Sequence, residues 1–253
     1  MLIDTHCHLH DQEFFDAEQA EEMLERANKA GVKKIICIGT SHEDSLAARD
    51  FDSSHENVYW TYGVHPENAP GFEPSFSSAV YASRKRVSTT IGKLVAIGEV
   101  GLDYHYPGYD RAKQIQLFEQ MLQLATDNDL PVSFHVREAY ADFFPVVANF
   151  PKIRGVVHSF TDSKKVLKRI LSETEFFIGV NGLSTYSTLP TPPLERILLE
   201  TDAPFLTPEP FRGIINEPAY VGEVAKWLAA KLGLDAKIIE METTKNARRI
   251  FKI

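Results

Sequence analysis

The chain opens Met1-Leu2-Ile3-Asp4-Thr5-His6-Cys7-His8. An apolar run that ends in His-x-His aims two imidazoles at one point, because strand side chains alternate faces and residues two apart share one. Imidazole is the commonest protein ligand for Zn²⁺ and its transition-metal neighbours. Cys7 lies between the two histidines and is expected to pack on the other face. Two unrelated polar histidines would be the blander explanation. Four further apolar runs, however, end in the same chemistry, at Glu99, His135, His158 and Asp202. With 35 Asp plus Glu and 9 His among 253 residues, five such endings are poor agreement with chance. Singly, Glu99 or Asp202 could be a helix N-cap, and His135 or His158 a hydrogen-bonded core residue. Jointly these alternatives fail.

Six ligands exceed the three protein ligands plus water of one catalytic zinc. They suit two ions about 3.5–4 Å apart that share a carboxylate and a hydroxide. His6, His8 and Asp202 are assigned to the first ion, His135 and His158 to the second, and Glu99 to the bridge. The mixed imidazole–carboxylate set suits Zn²⁺, Mn²⁺ or Fe²⁺, and Mg²⁺ is less natural at nitrogen.

Such residues need strands to hold them at one end of a sheet. Eight apolar runs read as buried strands: residues 1–6, 34–40, 58–64, 94–98, 131–135, 155–158, 176–180 and 196–201. Between them, residues 18–29, 112–126, 163–171 and 220–232 carry apolar side chains at helical 3–4 spacing. Buried strands alternating with helices imply a parallel sheet with crossovers. At 253 residues this predicts an α/β fold, one (β/α)8 TIM-type barrel occupying residues 1–253 as a single domain. The active end of such a barrel is the C-terminal end of its strands, where the six ligands fall. A doubly wound open sheet is the alternative. It would normally place a Gly-rich phosphate loop after the first strand, and none is present.

Composition bounds the rest. Hydrophobic residues at 43% and charged residues at 25% are those of an ordinary water-soluble domain. Two cysteines, Cys7 and Cys37, build no disulfide framework. No signal-peptide pattern or run of about 18 apolar residues is seen, so a cytoplasmic location without membrane contact is expected, with a monomer favoured. The formal net charge of −8 argues against a broad basic surface for duplex nucleic acid. It leaves room for a local cationic site with bound metal.

Together the motifs resemble the TatD family of metal-dependent deoxyribonucleases, within the amidohydrolase-like barrel superfamily. The matching pieces are Asp4 to His8, Gly63-Val64-His65-Pro66, Ala96 to Tyr104, Gln114 to Gln120, Leu130 to His135 with Arg137, Gly155 to Phe160, Glu200-Thr201-Asp202-Ala203-Pro204, Arg212-Gly213, Asn216-Glu217-Pro218 and Asn246. They span essentially the whole chain. The resemblance implies a phosphodiesterase, typically a 3′→5′ exonuclease on single-stranded DNA or RNA. A metal-bridged hydroxide would attack phosphorus, with Asp202 either passing the proton or serving only as a ligand. His65 is then expected to contact a substrate phosphate, the alternative being a loop-stabilising histidine. Arg137 is expected to clamp a phosphate, the alternative being an ion pair with Glu99, Asp103 or Glu138. Arg212 and Asn216 lie on the loop after the last strand and are expected to contact a nucleotide. Tyr104, Tyr106 and Phe160 could stack on a base, although packing under the loops is the commoner fate of such residues. His10, His42, His55 and His105 show no clear partner and read as surface or loop residues.

Three departures from the family pattern stand out. Val136-Arg137-Glu138 follows the strand-five histidine where the family often has Ser-Arg-Asp, Asp162 replaces a glycine after the sixth strand, and the segment 187–193 is short. A small-molecule phosphoesterase or amidohydrolase on the same barrel is the main alternative, because a metal hydroxide attacks phosphorus and carbonyl carbon alike. A catalytically idle binding protein is the other, and retention of all six ligand types argues against it.

Overall fold

The computed structural model describes residues 1–71 and 93–253. The apolar runs form eight strands: β1 (Leu2–Cys7), β2 (Val32–Cys37), β3 (Val58–Tyr62), β4 (Leu94–Asp103), β5 (Val132–Arg137), β6 (Gly155–Val157), β7 (Phe177–Val180) and β8 (Ile197–Leu199). Consecutive strands pair in parallel, and their order across the sheet is their order in the chain. Around them lie α1 (Ala17–Lys29), α2 (His42–Ser53), α3 (Arg111–Asp127), α4 (Tyr140–Ala148), α5 (Lys164–Glu173), α6 (Val221–Leu232) and α7 (Ala236–Phe251). This is the expected (β/α)8 barrel. None of the described helices is long and apolar enough to cross a membrane.

Period-two alternation sorts the strand residues into two apolar clusters. Ile35, Cys37, Val157, Ile197 and Leu199 pack with the helices, whereas Ile36, Ile38, Val156 and Leu198 join a second cluster closed by Ala247, Ile250 and Phe251 of α7. His158, Glu200 and Asp202 share the parity of the second set, so the strands that bury Val156 and Leu198 deliver these polar groups to the same face higher up. β1 departs from strict alternation. Ile3 belongs to the second cluster and Cys7 to the first, and the register slips between Asp4 and Cys7. That irregularity turns His6 and His8 to the centre and leaves Cys7 packed, as expected.

The seam between β1 and β8 is closed beyond the strands themselves. Asp202 N donates to His6 O (2.8 Å) and His8 N to Ala203 O (2.8 Å). The fully buried Asp4 carboxyl group accepts from Thr201 N (2.9 Å) and pairs with Thr201 Oγ1 (2.6 Å). The first and last strands are thus tied together at the residues that carry the proposed ligands.

Three features differ from the sequence expectation. β4 runs on to Asp103 instead of ending at Gly98, because Val100 to Asp103 continue to pair with Phe134 to Arg137. Gly101 permits this: a Cβ there would lie 1.9 Å from His135 O, and its φ is 152°. Helices α2, α4 and α7 lie outside the four helical segments expected from the sequence. α4 (YADFFPVVA) buries Tyr140, Phe143, Phe144, Val146 and Val147 and carries Pro145 internally. Between β7 and β8, where the segment is short, the chain makes 3₁₀ turns at Gly182–Thr185 and Leu194–Arg196.

Candidate metal centre

The structure brings His6, His8, Glu99, His135, His158 and Asp202 together at the C-terminal ends of the strands. Two donor sets meet at Glu99. On one side His6 Nε2 lies 3.4 Å from Glu99 Oε2 and 3.5 Å from Asp202 Oδ1, and His8 Nε2 lies 3.6 Å from Asp202 Oδ1. On the other, His135 Nδ1 and His158 Nε2 each lie 2.7 Å from Glu99 Oε1. These atoms fall into the groups His6–His8–Asp202 and Glu99–His135–His158, each close enough to hold one ion.

Each ring is aimed from behind. His8 Nδ1 donates to Ile38 O (3.1 Å), leaving Nε2 for the centre. His135 Nε2 faces Asp103 Oδ2 (3.0 Å), leaving Nδ1. His158 Nδ1 points toward Glu200 Oε1 at 3.7 Å, and Glu200 is itself held by Ser159 N (2.6 Å). Such outer carboxylates and carbonyls fix the tautomer of a ligating imidazole. Asp103 and Glu200 were not recognised as site residues in the sequence. The available signal for Asp103 was its spacing, since residues 99, 101 and 103 share one face of a strand.

A divalent ion fits this arrangement on observations internal to the site. His6 Nε2 is buried and makes no hydrogen bond, although two carboxylate oxygens converge on it. A buried polar atom without a partner is costly, and a cation between these donors removes the cost. The donors are imidazole nitrogen and carboxylate oxygen, which suits Zn²⁺, Mn²⁺ or Fe²⁺. Burial would lower the His8, His135 and His158 imidazoles, but the surrounding carboxylates outweigh it and hold all three above their ordinary value, a positive charge that a bound cation would replace. Burial, reinforced by neighbouring His158, pushes the His6 imidazole below its ordinary value and keeps it a neutral donor. Burial would raise the Glu99 and Asp202 carboxyls, but the surrounding imidazoles outweigh it and hold both below the ordinary range.

Asp202 adopts a left-handed backbone, φ 61°, a conformation that costs a non-glycine residue free energy and clusters at functional sites. Its turn is clamped on both sides. Phe205 N donates to Asp202 O (2.8 Å), and the Asn216 amide donates to Thr201 O (2.8 Å) and Phe205 O (2.5 Å). Asn216 is fully buried and its Oδ1 accepts from Glu217 N, so its amide is spent within the fold and does not reach the cleft.

The centre lies in a cleft of about 760 Å³, within the size range of ligand pockets. His65 lines it, with Nε2 3.8 Å from Glu99 Oε1 and its ring 4.4 Å from that of His135. Burial and neighbouring His135 push its imidazole down to about 4. Arg137 also lines the cleft, and its guanidinium sits 5.3 Å from the Tyr106 ring centroid. Arg212 lies over the Tyr186 ring at 3.9 Å and is not among the residues lining the cleft. Tyr104 is taken by Asp142 (2.8 Å) and by stacking on Tyr109, and Phe160 is buried. The four remaining histidines do have partners: His10 is buried against Asp44 (2.9 Å), His42 meets Tyr62 Oη (3.2 Å), His55 meets Glu21 (2.7 Å) and His105 meets Glu138 (2.7 Å). Asp162 does not take a left-handed φ, so replacing glycine there strains nothing.

Comparison with known proteins agrees with this geometry. Residues 3–252 match the family described as TatD related DNase. An uncharacterized metal-dependent hydrolase, YabD of Bacillus subtilis, is 33% identical over 262 residues, covering all of both chains. The 3′-5′ ssDNA/RNA exonuclease TatD of Erwinia tasmaniensis is 32% identical over 252 residues, covering 94% of this chain and 95% of the relative. The crystal structure of YjjV, a TatD homolog from Escherichia coli, superposes with a TM-score of 0.87 at 29% identity, covering 100% and 98% of the two chains. With donors of the right kind converging on one cleft and sequence likeness from end to end, the chain belongs to the TatD-related DNase family and is a metal-dependent hydrolase.

Proposed function

We propose that this hydrolase cleaves phosphodiester bonds as a 3′→5′ exonuclease on single-stranded DNA or RNA, and that it holds two divalent ions. The observation that carries the reading is the position of Glu99, whose two oxygens face different donor sets across one open cleft. The Erwinia relative, named as an exonuclease on ssDNA and RNA, supports the substrate class.

His6, His8 and Asp202 would hold one ion and His135 and His158 the other, with Glu99 between them. Bound there, the ions would supply an acidified water and neutralise charge on the reacting phosphate. The protein's own groups do the rest. Asp202 is ionised, and its Oδ1 lies nearest the His6 and His8 nitrogens, so it can take a proton and return it to the leaving 3′ oxygen. His65 is neutral near pH 7, which lets it both accept and donate a hydrogen bond at the cleft wall. Arg137 brings a planar, permanently charged fork suited to a neighbouring phosphate. Asn216 and the Asp4–Thr201 pair keep the Asp202 turn in place, and Arg212, which stacks over Tyr186 and does not line the cleft, is given no substrate contact.

The test is digestion of 5′-labelled single-stranded DNA with Mn²⁺ or Mg²⁺ against an EDTA control. A ladder shortening one nucleotide at a time, only with metal, is the expected result. Intact DNA in the presence of demonstrably bound metal refutes the exonuclease reading and leads to small phosphoester and amide substrates.

A further inference from the structure

Two phenylalanines at the cleft are left uncovered. Phe14 is 43% exposed and Phe205 47% exposed, and both line the cleft. Their rings meet edge to face with centroids 5.3 Å apart, and the Phe205 ring stands 6.4 Å from that of the proposed ligand His8. The Phe205 backbone is held firmly: its N–H donates to Asp202 O and its carbonyl accepts from Asn216. A rigid turn therefore presents an uncovered aromatic face directly beside the metal donors. The opposite wall has a different character, with Arg137 over Tyr106.

A nucleotide has the matching polarity, with a flat apolar base at one end and an anionic phosphate at the other. With a phosphate at the donors between the walls, a base reaches the Phe205 side while a neighbouring phosphate reaches Arg137. We propose that Phe205, backed by Phe14, is the stacking platform for a base flanking the scissile phosphate. The inference rests on the exonuclease reading and deepens it, because a platform of this kind makes the site select nucleotides over base-free phosphoesters. Stacking is indifferent to base identity, since every base has a π-face, so the platform supports stepwise digestion of any sequence.

The test uses single-stranded oligomers of one length with Mn²⁺. One is intact, and two carry a tetrahydrofuran residue, which lacks the base, at the 3′-terminal or penultimate position. For wild type, kcat/KM is expected to favour the intact oligomer over one of the base-free pair by about 5- to 150-fold, the range for loss of one aromatic–base stack. Phe205→Ala should bring that ratio close to one, Phe14→Ala should lower it partly, and Phe205→Tyr should restore it. An unchanged ratio in Phe205→Ala, whether both rates persist or both fall together, overturns the platform, and in the second case leaves Phe205 only a support for the Asp202 turn. A wild type that cleaves none of the oligomers overturns the exonuclease reading and the platform with it.

Discussion

Replacing Asp103 with asparagine exchanges one carboxylate oxygen for an amide nitrogen at nearly constant shape. In the native site both oxygens are in use: Oδ1 accepts from His105 N (2.9 Å) and Oδ2 faces His135 Nε2 (3.0 Å). Burial would raise this carboxyl, but His135 and the His105 backbone outweigh it and keep it ionised. Asparagine offers a single oxygen. If the oxygen stays with His105 N, the amide NH₂ faces His135 and stabilises the tautomer whose proton sits on Nδ1. That nitrogen is the one aimed at Glu99, and a protonated Nδ1 cannot bind a metal ion. Changes to the outer partner of a ligating histidine cost about 10–100-fold in metal affinity, or about 1.4–2.8 kcal/mol. Competition titration with a chromophoric chelator reads this directly. The uptake step assigned to the proposed His135–His158 ion should shift by that factor, the proposed His6–His8–Asp202 step should hold its place, and activity should recover partly at excess metal. A titration indistinguishable from wild type in both steps would refute the claim that Asp103 selects the tautomer.

Other outcomes follow from the same geometry. Glu99→Ala removes the carboxylate common to both donor sets, so turnover should fall by more than the about 100-fold ceiling of outer-partner changes, with the chelator-treated protein still folded by circular dichroism; near-normal turnover would remove Glu99 from the bridge. Asn216→Ala leaves Thr201 O, Phe205 O and Glu217 N without their amide partner and should cost about 1–3 kcal/mol in urea unfolding, whereas a role confined to substrate contact predicts unchanged stability. His65 has an ordinary value of 6.5 and is pushed down to about 4 when folded. As pH falls through 6.5 the unfolded chain binds this proton and the folded chain does not, so stability is lost between about pH 6.5 and 4 at about 1.4 kcal/mol per pH unit. In chelator, His65→Gln should therefore lose about 2–3 kcal/mol less than wild type between pH 7 and 4.5, and equal acid sensitivity would show that His65 is not buried as a neutral ring.

The candidate ligands were legible in the sequence because strands impose parity. His6 with His8, and the runs ending at Glu99, His135, His158 and Asp202, each announce themselves by an apolar run that closes within a few residues of a donor. What supports them was not legible, because it depends on long-range pairing. Asp103 looked like a loop residue until β4 proved to continue, held extended by pairing with β5 and by a glycine at 101 with no Cβ to collide with His135 O. Asn216 looked like a nucleotide contact because it lies on a polar loop after the last strand, yet its amide is consumed by two carbonyls of the Asp202 turn. His10 gave no sign of its partner because Asp44 is 34 residues away. Phe14 and Phe205 were passed over for the opposite reason, since apolar residues are assumed to be buried and only the structure reveals these two as uncovered.

Charge connects the metal to the substrate. Among the described residues lining the cleft, Asp11, Glu67, Glu99, Asp103 and Asp202 are acidic, and Arg137 is the lone permanent cation. In a chain of net charge −8, a cleft of this composition repels a phosphodiester. The two divalent ions proposed for this centre would contribute four positive charges and offset the negative charge of these groups, since bound cations are the largest charges in such sites. Substrate binding is therefore conditional on metal binding, and by reciprocity a nucleic acid should tighten the metal it finds there. A broad basic face would hold a duplex along its length, whereas attraction confined to a metal-filled cleft in an acidic surface is consistent with the proposed single-stranded terminus as substrate.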